Sequence, residues 1–322
     1  DSLIENNQDG IETNDNGSLN WLEGNLDSEP YFCSSATGNY FVRENSPVLD
    51  GGFNGGLVGC LAAGCGPVNL GPVWYVDSNG DNTSDGSLET PFETINWAVN
   101  TASNGDTIRL NPGVYFGSVD FDGKFLVMES RFYELNDSAI IAETFFAPGP
   151  VGGNCLSLEG PDDENITIRG LSFRGGSDPV GGGLVISNCS PTLENLIIED
   201  NTSEIGGGVY LSNSNSILNN ITVTNNGGNL GGGLYVTGGA PILNNVFIAN
   251  NIAYWGGGIY LENSNAEING CVIRGNEAFI EGAGYFQTGG DGQINRTSFE
   301  RNNGFDYGGA IVSYQAPISL NH

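Results

Sequence analysis

The sequence predicts an all-β solenoid, a parallel β-helix with a capping helix at its N-terminal end and an irregular closing segment. A glycine-rich segment restarts every 25 or 26 residues, a period typical of solenoid repeats, at Gly181, Gly206, Gly231, Gly256, Gly282 and Gly308. Apolar residues alternate within each repeat, which is strand periodicity. An asparagine follows the second strand of five of the repeats.

Aligned repeats place apolar residues in the same columns of two short strands. The first strand gives Leu184, Val209, Leu234, Ile259, Tyr285 and Ile311, and two residues later Ile186, Leu211, Val236 and Leu261. The second gives Leu193, Leu218, Leu243, Ile268, Ile294 and Leu320, then Leu196, Ile221, Val246 and Cys271, then Ile198, Val223, Ile248, Ile273 and Phe299. One repeat alone cannot bury its apolar face, so we expect each strand to pair with its equivalent in the next coil, about 4.8 Å away.

Two polar features mark the predicted corners of each coil. The asparagine column consists of Asn201, Asn226, Asn251, Asn276 and Asn302. We expect these residues to adopt the left-handed conformation of a tight corner and to bond through their amides to the neighbouring coil. The glycine triplets mark the other sharp corner, where a Cβ would clash.

The Gly-Gly-Gly–hydrophobic–Tyr strand and the Asn-Asn corner resemble the right-handed parallel β-helix repeats of secreted, pectin-lyase-like bacterial proteins. The resemblance extends over most of the chain and implies a right-handed helix. It does not specify an activity, because that family includes lyases, hydrolases, adhesins and purely structural domains.

Residues 73–105 predict a strand followed by the capping helix. Trp74-Tyr75-Val76 reads as a strand, and apolar residues then recur at helical spacing at Phe92, Ile95, Ala98, Val99 and Ala102, with Gly105 as the predicted end. Such a helix would cover the open end of the β-helix. The segments 85–98 and 105–115 are similar to the N-terminal cap of the same family. Irregular coils are expected over 106–180, and the β-helix proper over 106–322.

Residues 1–72 depart from the repeat. Residues 1–7 read as the second half of a coil, and a Gly- and Cys-rich linker reaches Pro72, where we predict a domain boundary. Glu29-Pro30-Tyr31-Phe32 and Ser46–Gly52 resemble the closing segment that ends many secreted bacterial β-helices, with Glu29 at the usual Asp position.

The two ends of the sequence share one register. Leu3 matches Ile273, Asn6 matches Asn276, and Asp1 would fall in the Cys271 column if it followed His322 directly. An arbitrary excerpt would do this about once in 25 tries. The register predicts one unit of a tandem array that continues into a next unit, or strand sharing between molecules; an accidental cut is the alternative.

The charge restricts the partners. The 322 residues carry a formal net charge of −29 with only 9 basic residues, which disfavours nucleic acid, anionic lipid and polyuronic acids unless a cation bridges them. No apolar run approaches the ~20 residues of a membrane span. An acidic, lysine-poor surface suits a protein that is extracellular or on a bacterial cell surface in salty water.

The six cysteines divide into two groups. Cys33, Cys60 and Cys65 lie in the irregular N-terminal region and are the disulfide candidates, with the pairing open. Cys271 occupies a core column and is expected to be a buried thiol. A zinc site is disfavoured because the spacing is loose and the one histidine is His322.

An acidic loop is the candidate metal site. Asp77, Asn79 and Asp81 alternate as in a calcium loop, and Asp85 supplies a further oxygen ligand. Calcium is therefore the possible cofactor. The loop lacks the full twelve-residue EF-hand pattern, and a solvated turn is the alternative.

An aromatic column is the candidate contact surface. Tyr210, Tyr235, Tyr260 and Phe286 stand between the two inward columns of the first strand and should therefore face outward. Stacked rings on a flat sheet can bind sugars. The favoured alternative is a ladder that stabilises neighbouring coils or packs against another subunit.

Catalytic groups are not evident in the regular repeats. The β-helix galacturonases, which this fold resembles, use grouped aspartates, whereas no outward column here holds carboxylates in three consecutive coils. The loops of 129–165 are the remaining place for a site, with Glu129, Arg131, Glu134, Asp162 and Asp163.

We therefore predict a secreted structural module: rigid β-helix domains in series that form a filament, appendage or adhesin for cell-surface attachment. Its partners would be copies of itself joined head to tail, or other subunits of an extracellular assembly. The alternative is a carbohydrate-binding or polysaccharide-degrading β-helix protein that contacts glycans; as an enzyme it would be a polysaccharide lyase or a glycoside hydrolase.

Overall fold

A computed structural model describes residues 73–321, apart from 118, 161–165 and 307, together with three short strands that precede them. The chain divides into two compact units, Asp1–Gly71 and Pro72–His322. In the first unit the three described strands form one sheet in the order β1–β2–β3: β1 (Phe32–Ser34), β2 (Asn39–Arg43) and β3 (Ala63–Cys65). The predicted half-coil at residues 1–7 lies outside the described residues, as does all of the predicted closing segment except the strand residues.

The second unit is a parallel β-helix, as predicted, built from three long sheets and two short ones. The ten-strand sheet contains β4 (Val73–Val76), β5 (Thr107–Leu110), β7 (Val127–Ser130), β10 (Thr167–Arg169), β14 (Thr192–Glu194), β18 (Ile217–Asn219), β21 (Ile242–Asn244), β25 (Glu267–Asn269), β29 (Gly292–Asn295) and β33 (Ile318–Asn321). Its strands pair in parallel, one per coil.

The other two long sheets continue each coil. The eight-strand sheet contains β6 (Gly113–Phe116), β8 (Thr144–Ala147), β11 (Ser172–Arg174), β15 (Ile197–Glu199), β19 (Thr222–Thr224), β22 (Phe247–Ala249), β26 (Val272–Arg274) and β30 (Ser298–Glu300). The seven-strand sheet contains β9 (Leu156–Glu159), β13 (Leu184–Ser187), β17 (Val209–Ser212), β20 (Leu234–Thr237), β24 (Ile259–Glu262), β28 (Tyr285–Thr288) and β32 (Ile311–Tyr314).

Short strands also form at the corner that precedes the glycine triplets. One pair is β12 (Ser177–Val180) with β16 (Thr202–Ile205). The corner sheet, in later coils, consists of β23 (Ile252–Trp255), β27 (Glu277–Glu281) and β31 (Asn303–Gly304). The structure thus gives strand pairing to residues at 106–180 that the sequence predicted as irregular coils.

The predicted register is confirmed. Leu184 pairs with Val209, Leu193 with Leu218, and Ile198 with Val223, and each column continues coil by coil. Residues of the inward columns are almost fully buried through the regular repeats. Cys271 lies in its predicted core column with a free thiol, and burial raises its pKa to about 11.

The asparagine column forms a buried ladder, but its predicted backbone conformation is wrong. The Nδ2 group of Asn201 donates to Oδ1 of Asn226 at 3.0 Å, and the same bond links each later pair up to Asn302. The left-handed residue is the one before each ladder position, as at Asp200, Asn225 and Asn250. The two roles fall on neighbours because a side chain that points inward to the next coil cannot sit on the residue that reverses the chain.

The glycine triplets meet two physical requirements. The first glycine of each has a positive φ, for example +65° at Gly256, where a Cβ would lie 2.8 Å from the Cβ of Tyr260. At the third glycine a Cβ would lie 2.6 Å from the carbonyl oxygen of the equivalent glycine one coil on, as between Gly258 and Gly284. A Cβ contact under 3 Å forces atoms to move, so only glycine fits this corner.

A capping helix is present, but it is shorter than predicted. Helix α1 (Ile95–Thr101) buries Ile95, Ala98 and Val99, and the hydroxyl of Thr94 accepts from the backbone N–H of Trp97. It ends at Thr101, because Ala102 is already extended. Gly105 instead forms the next turn, with φ +89°. Two further helices lie between β7 and β8, namely α2 (Phe132–Leu135) and α3 (Ala139–Glu143).

Candidate functional site

The predicted calcium ligands lie in a chain of separate turns after β4. The Oδ1 atom of Asp77 accepts from the backbone N–H of Asn79 at 2.9 Å, and that of Asp81 accepts from the N–H of Thr83 at 2.8 Å. Asp85 accepts from the hydroxyl of Thr90 at 2.6 Å. Each carboxylate therefore already accepts hydrogen bonds from its own surroundings.

These hydrogen bonds dominate the electrostatics of the loop. The bond from the Thr90 hydroxyl, followed by the backbone bond from Ser87, lowers the pKa of Asp85 to about 2. Within residues 73–321, gaps excepted, no three His, Cys, Asp or Glu side chains are grouped so that they could hold a metal ion. The calcium site stays a prediction, and its ligands would have to leave these turns to meet.

The predicted aromatic column is a continuous stack on the outer side of the seven-strand sheet. Ring centroids lie 5.6 Å apart between Tyr210 and Tyr235, 5.1 Å between Tyr235 and Tyr260, and 4.9 Å between Tyr260 and Phe286. The first two rings are almost parallel, at 2°. Tyr314 extends the stack, 5.6 Å from Phe286.

The rings of this column cover one another. Tyr235 and Phe286 are only 6% and 5% exposed, although their side chains point away from the core. The hydroxyl of Tyr235 donates to Oε2 of Glu262 at 2.6 Å. Burial, followed by this bond, raises the pKa of Tyr235. Because ring faces contact ring faces, mainly edges remain for a sugar, and the geometry favours a stabilising ladder.

The loop region predicted as the remaining place for chemistry contains a charged cluster. Glu129 is fully buried, and its two carboxylate oxygens each contact one guanidinium, from Arg109 at 2.6 Å and from Arg169 at 2.6 Å. Arg131 pairs with Glu134 at 2.8 Å. Asp162 and Asp163 lie outside the described residues.

The cluster fixes the excursion of α2 over the ten-strand sheet. The guanidinium of Arg169 lies 4.2 Å from the ring centroid of Tyr133, and Asn195 donates to the hydroxyl of that tyrosine. Arg109 lies over Tyr75 at 5.6 Å. A carboxylate that is buried between two arginines has no free lone pair directed at solvent. Glu129 is therefore suited to hold structure rather than to act as a general acid or base.

A second set of aromatic rings was missed by the sequence analysis. We call it the aromatic row: Tyr254, Phe279 and Phe305, at the corner sheet. Their centroids lie 5.5 Å and 5.7 Å apart. In contrast to the covered column, these rings are 47%, 47% and 61% exposed.

A signal for the aromatic row was present in the repeat alignment. The column that begins with Glu204 and Asn229 reaches Tyr254, then Phe279 after 25 residues and Phe305 after a further 26. The last two members follow when the alignment is extended to the lengthened repeats. Their exposure follows from strand alternation, because Ala253 and Ala278 beside them point inward and are buried.

The three disulfide candidates cannot be placed against one another. Cys33 and Cys65 belong to β1 and β3, but their side chains, and all of Cys60, lie outside what the structure describes. Their pairing stays a prediction. In the described part of the chain, no helix is both long and apolar enough to cross a membrane.

A comparison with protein families matches residues 150–303 to a model described as a right handed beta helix region. A curated relative, the uncharacterized protein YwoF of Bacillus subtilis (strain 168), is 26% identical over 140 residues. That match covers 41% of this chain and spans 28% of the relative's length.

Solved structures with the same architecture include pectate lyase Pel9A, at 17% identity and a TM-score of 0.42, with 77% of each chain covered. Pectin methylesterase from carrot is 11% identical with a TM-score of 0.47, covering 78% of this chain and 83% of its own. At such identities the likeness concerns the fold alone. With the family match and the parallel sheets, it identifies the repeats of this chain as a right-handed parallel β-helix of the pectin-lyase-like fold.

Proposed function

We propose that this chain is a rigid extracellular β-helix module that serves as a structural rod in a filament, appendage or adhesin for surface attachment. The observation that supports the proposal is the unbroken stacking of the coils. From β13 onward, equivalent strands pair in three sheets and the asparagine ladder links successive coils. Partners are other copies of the chain or other subunits of the assembly.

The energetics of stacking suit a load-bearing element. Each regular coil buries about five aliphatic side chains, each contributing ~1.5–3 kcal/mol when buried. Every buried asparagine also accepts a backbone N–H of the preceding coil, for example from Asn226 to Oδ1 of Asn251 at 2.9 Å. Bonds of this kind join adjacent coils directly, so bending or sliding one coil on the next breaks several at once.

Chemistry is less well supported than stiffness. Glu129, the buried carboxylate of the charged cluster, is held between two arginines. Glu262, on the seven-strand sheet, accepts from Tyr235 and Thr237. A general acid or base needs a carboxyl group that can reach a substrate proton, and these two are committed to internal partners.

The experiment is negative-stain electron microscopy with sedimentation velocity on the purified chain across a concentration series. We expect stiff, elongated particles that associate in the direction of the coil axis as the concentration rises. Particles that remain single at every concentration, together with cleavage of a polysaccharide, would contradict the proposal.

A second candidate function is carbohydrate binding, and the observation that favours it is the exposure of the aromatic row. The structures that share the fold include a pectate lyase and pectin methylesterases. An enzyme of this type would act as a polysaccharide lyase or a glycoside hydrolase. Incubation with neutral and uronic polysaccharides, followed by reducing-end and unsaturated-product assays, separates an enzyme from a binder.

A further inference from the structure

The aromatic row is the exposed apolar feature of the corner sheet. Tyr254, Phe279 and Phe305 come from successive coils and are about half exposed or more. Phe279 and Phe305 are nearly parallel, at 15°, and Tyr254 is tilted by 46° to Phe279. The row follows the coil axis, with Ile252 also exposed on the same sheet.

The row is held on a rigid support. Ile252 pairs with Glu277, Ala253 with Ala278, and Ala278 with Gly304. The backbone N–H of Tyr254 donates to Asn229 and that of Phe305 to Ala278, each at 3.0 Å. Rings on paired strands lose little freedom when a ligand binds, because strand pairing has already fixed their backbone.

The charge around the row excludes anions. The strands of this corner and the residues next to them contain five carboxylates, Asp178, Glu204, Glu277, Glu281 and Asp306, and the adjoining Arg301 is the single basic residue between 296 and 322 after it. An anionic polymer would meet repulsion here in a chain of net charge −29. Carboxylates beside aromatic rings can instead accept hydrogen bonds from the hydroxyls of an uncharged ligand.

The exposed area is too small for a stable protein interface. An aromatic side chain buries roughly 150–250 Å² when fully covered, so three half-exposed rings offer on the order of 300 Å². A standard protein interface buries about 800 Å² on each partner and depletes charge at its centre. The row is short and has carboxylates beside it, so its size and surroundings fit a narrower ligand.

The regular spacing fits a polymer of flat rings. One aromatic ring appears per coil at 5.5 Å and 5.7 Å, which is close to the length of one sugar residue in an extended chain. The apolar face of a pyranose can lie against an aromatic ring while its hydroxyls remain hydrogen-bonded at the rim.

We propose that the aromatic row binds an uncharged glycan, with the sugar chain lying along the coil axis over Tyr254, Phe279 and Phe305. This inference rests on the second candidate function and gives it a surface and a ligand class. It assigns binding to the corner sheet, not to the covered column of Tyr210, Tyr235, Tyr260 and Phe286.

The test is isothermal titration calorimetry of the purified chain with cellohexaose, mannohexaose and xylohexaose, and with hexagalacturonate and a chitosan hexamer as charged probes. We expect at least one neutral hexasaccharide to bind, and Phe279→Ala to weaken that binding about tenfold or more. Because the ring of Phe279 is half exposed, the variant should fold, which circular dichroism checks.

Trp97→Ala is the matched control, since Trp97 is an equally exposed aromatic residue on α1, away from the row. It should bind as the unchanged chain does. Binding that persists in the triple alanine variant of the row would overturn the assigned surface but keep carbohydrate binding. Binding of only a charged probe would overturn the ligand class. A chain that binds none of the probes would overturn both, and leave the rod proposal to the microscopy.

Discussion

Two aromatic ladders rise through the same coils with nearly the same spacing, yet they present different surfaces. In the covered column the ring centroids lie 4.9–5.6 Å apart, and in the aromatic row 5.5–5.7 Å apart. Tyr235 of the column is 6% exposed and Phe279 of the row is 47% exposed. Vertical spacing alone therefore does not decide whether an aromatic ladder stabilises the fold or remains available to a ligand.

The local backbone accounts for the difference. Each ring of the covered column stands directly against the first glycine of a triplet, which brings a corner of the chain against its flank. The row lies on the opposite side of that corner, where the neighbouring inward residues are the alanines Ala253 and Ala278. A glycine that lets the backbone approach a ring thus converts an outward aromatic residue into part of the packing.

The largest expected effect comes from removing that close approach. Gly256→Ala places a Cβ 2.8 Å from the Cβ of Tyr260 at a residue with φ +65°. We expect a loss of about 3 kcal/mol or more in the free energy of unfolding, measured by urea denaturation. Gly117→Ala is the control, because Gly117 also has a positive φ but an added Cβ would contact nothing within 4 Å. It should cost only about 1–2 kcal/mol; equal losses would show that conformation alone matters.

The second prediction compares one ring from each ladder. Tyr235→Ala removes a ring that stacks on two neighbours and donates to Glu262, so we expect about 2–4 kcal/mol of destabilisation in urea melts. Phe279→Ala removes a half-exposed ring and should cost about 1 kcal/mol or less. If the two variants were equally destabilised, the distinction between a structural column and an available row would fail.

The third prediction concerns alkaline pH. The pKa of Tyr235 is raised in the folded chain by burial and by its bond to Glu262. A raised pKa means that its stability contribution is complete below the unfolded-state value of about 10 and is lost as pH rises beyond it. The unfolding free energy should therefore fall above pH ~10, and fall less steeply in Tyr235→Phe. Identical slopes in the two proteins would assign the alkaline loss to other groups.

The smallest expected effect is that of calcium. Asp77, Asp81 and Asp85 accept hydrogen bonds from Asn79, Thr83 and Thr90, which a metal ion would have to displace. We expect the Tm in calcium and in EDTA to differ by less than about 2 °C. A larger calcium-dependent rise that disappears in an Asp77→Asn, Asp81→Asn double variant would establish the predicted metal site.

The sequence was sufficient for the register of the coils because glycine triplets and apolar columns recur at one period. Leu193, Leu218 and Leu243 could be aligned before any coordinate was known, and they pair as aligned. A solenoid repeats the same environment, so one correctly placed residue places its equivalents in every coil.

The surface was harder to predict, because exposure depends on what packs over each column. The alternation that placed Tyr235 outward was right about its direction, but the covering by its neighbours and by the glycine corner is a tertiary effect. The cluster of Glu129 with Arg109 and Arg169 joins three coils with longer, unequal loops, so no repeat period indicated it. The aromatic row fell where the repeat lengthens from 25 to 26 residues.

The asparagine ladder also gives the coil stack a direction in time. Each Nδ2 group donates to the asparagine that follows in sequence, so Asn226 is satisfied through Asn251 and Asn251 through Asn276. On a ribosome adding about 5–20 residues per second, the required partner emerges roughly 1–5 s later. A newly made coil therefore keeps an unsatisfied buried amide until its successor arrives, and folding trails synthesis by one coil.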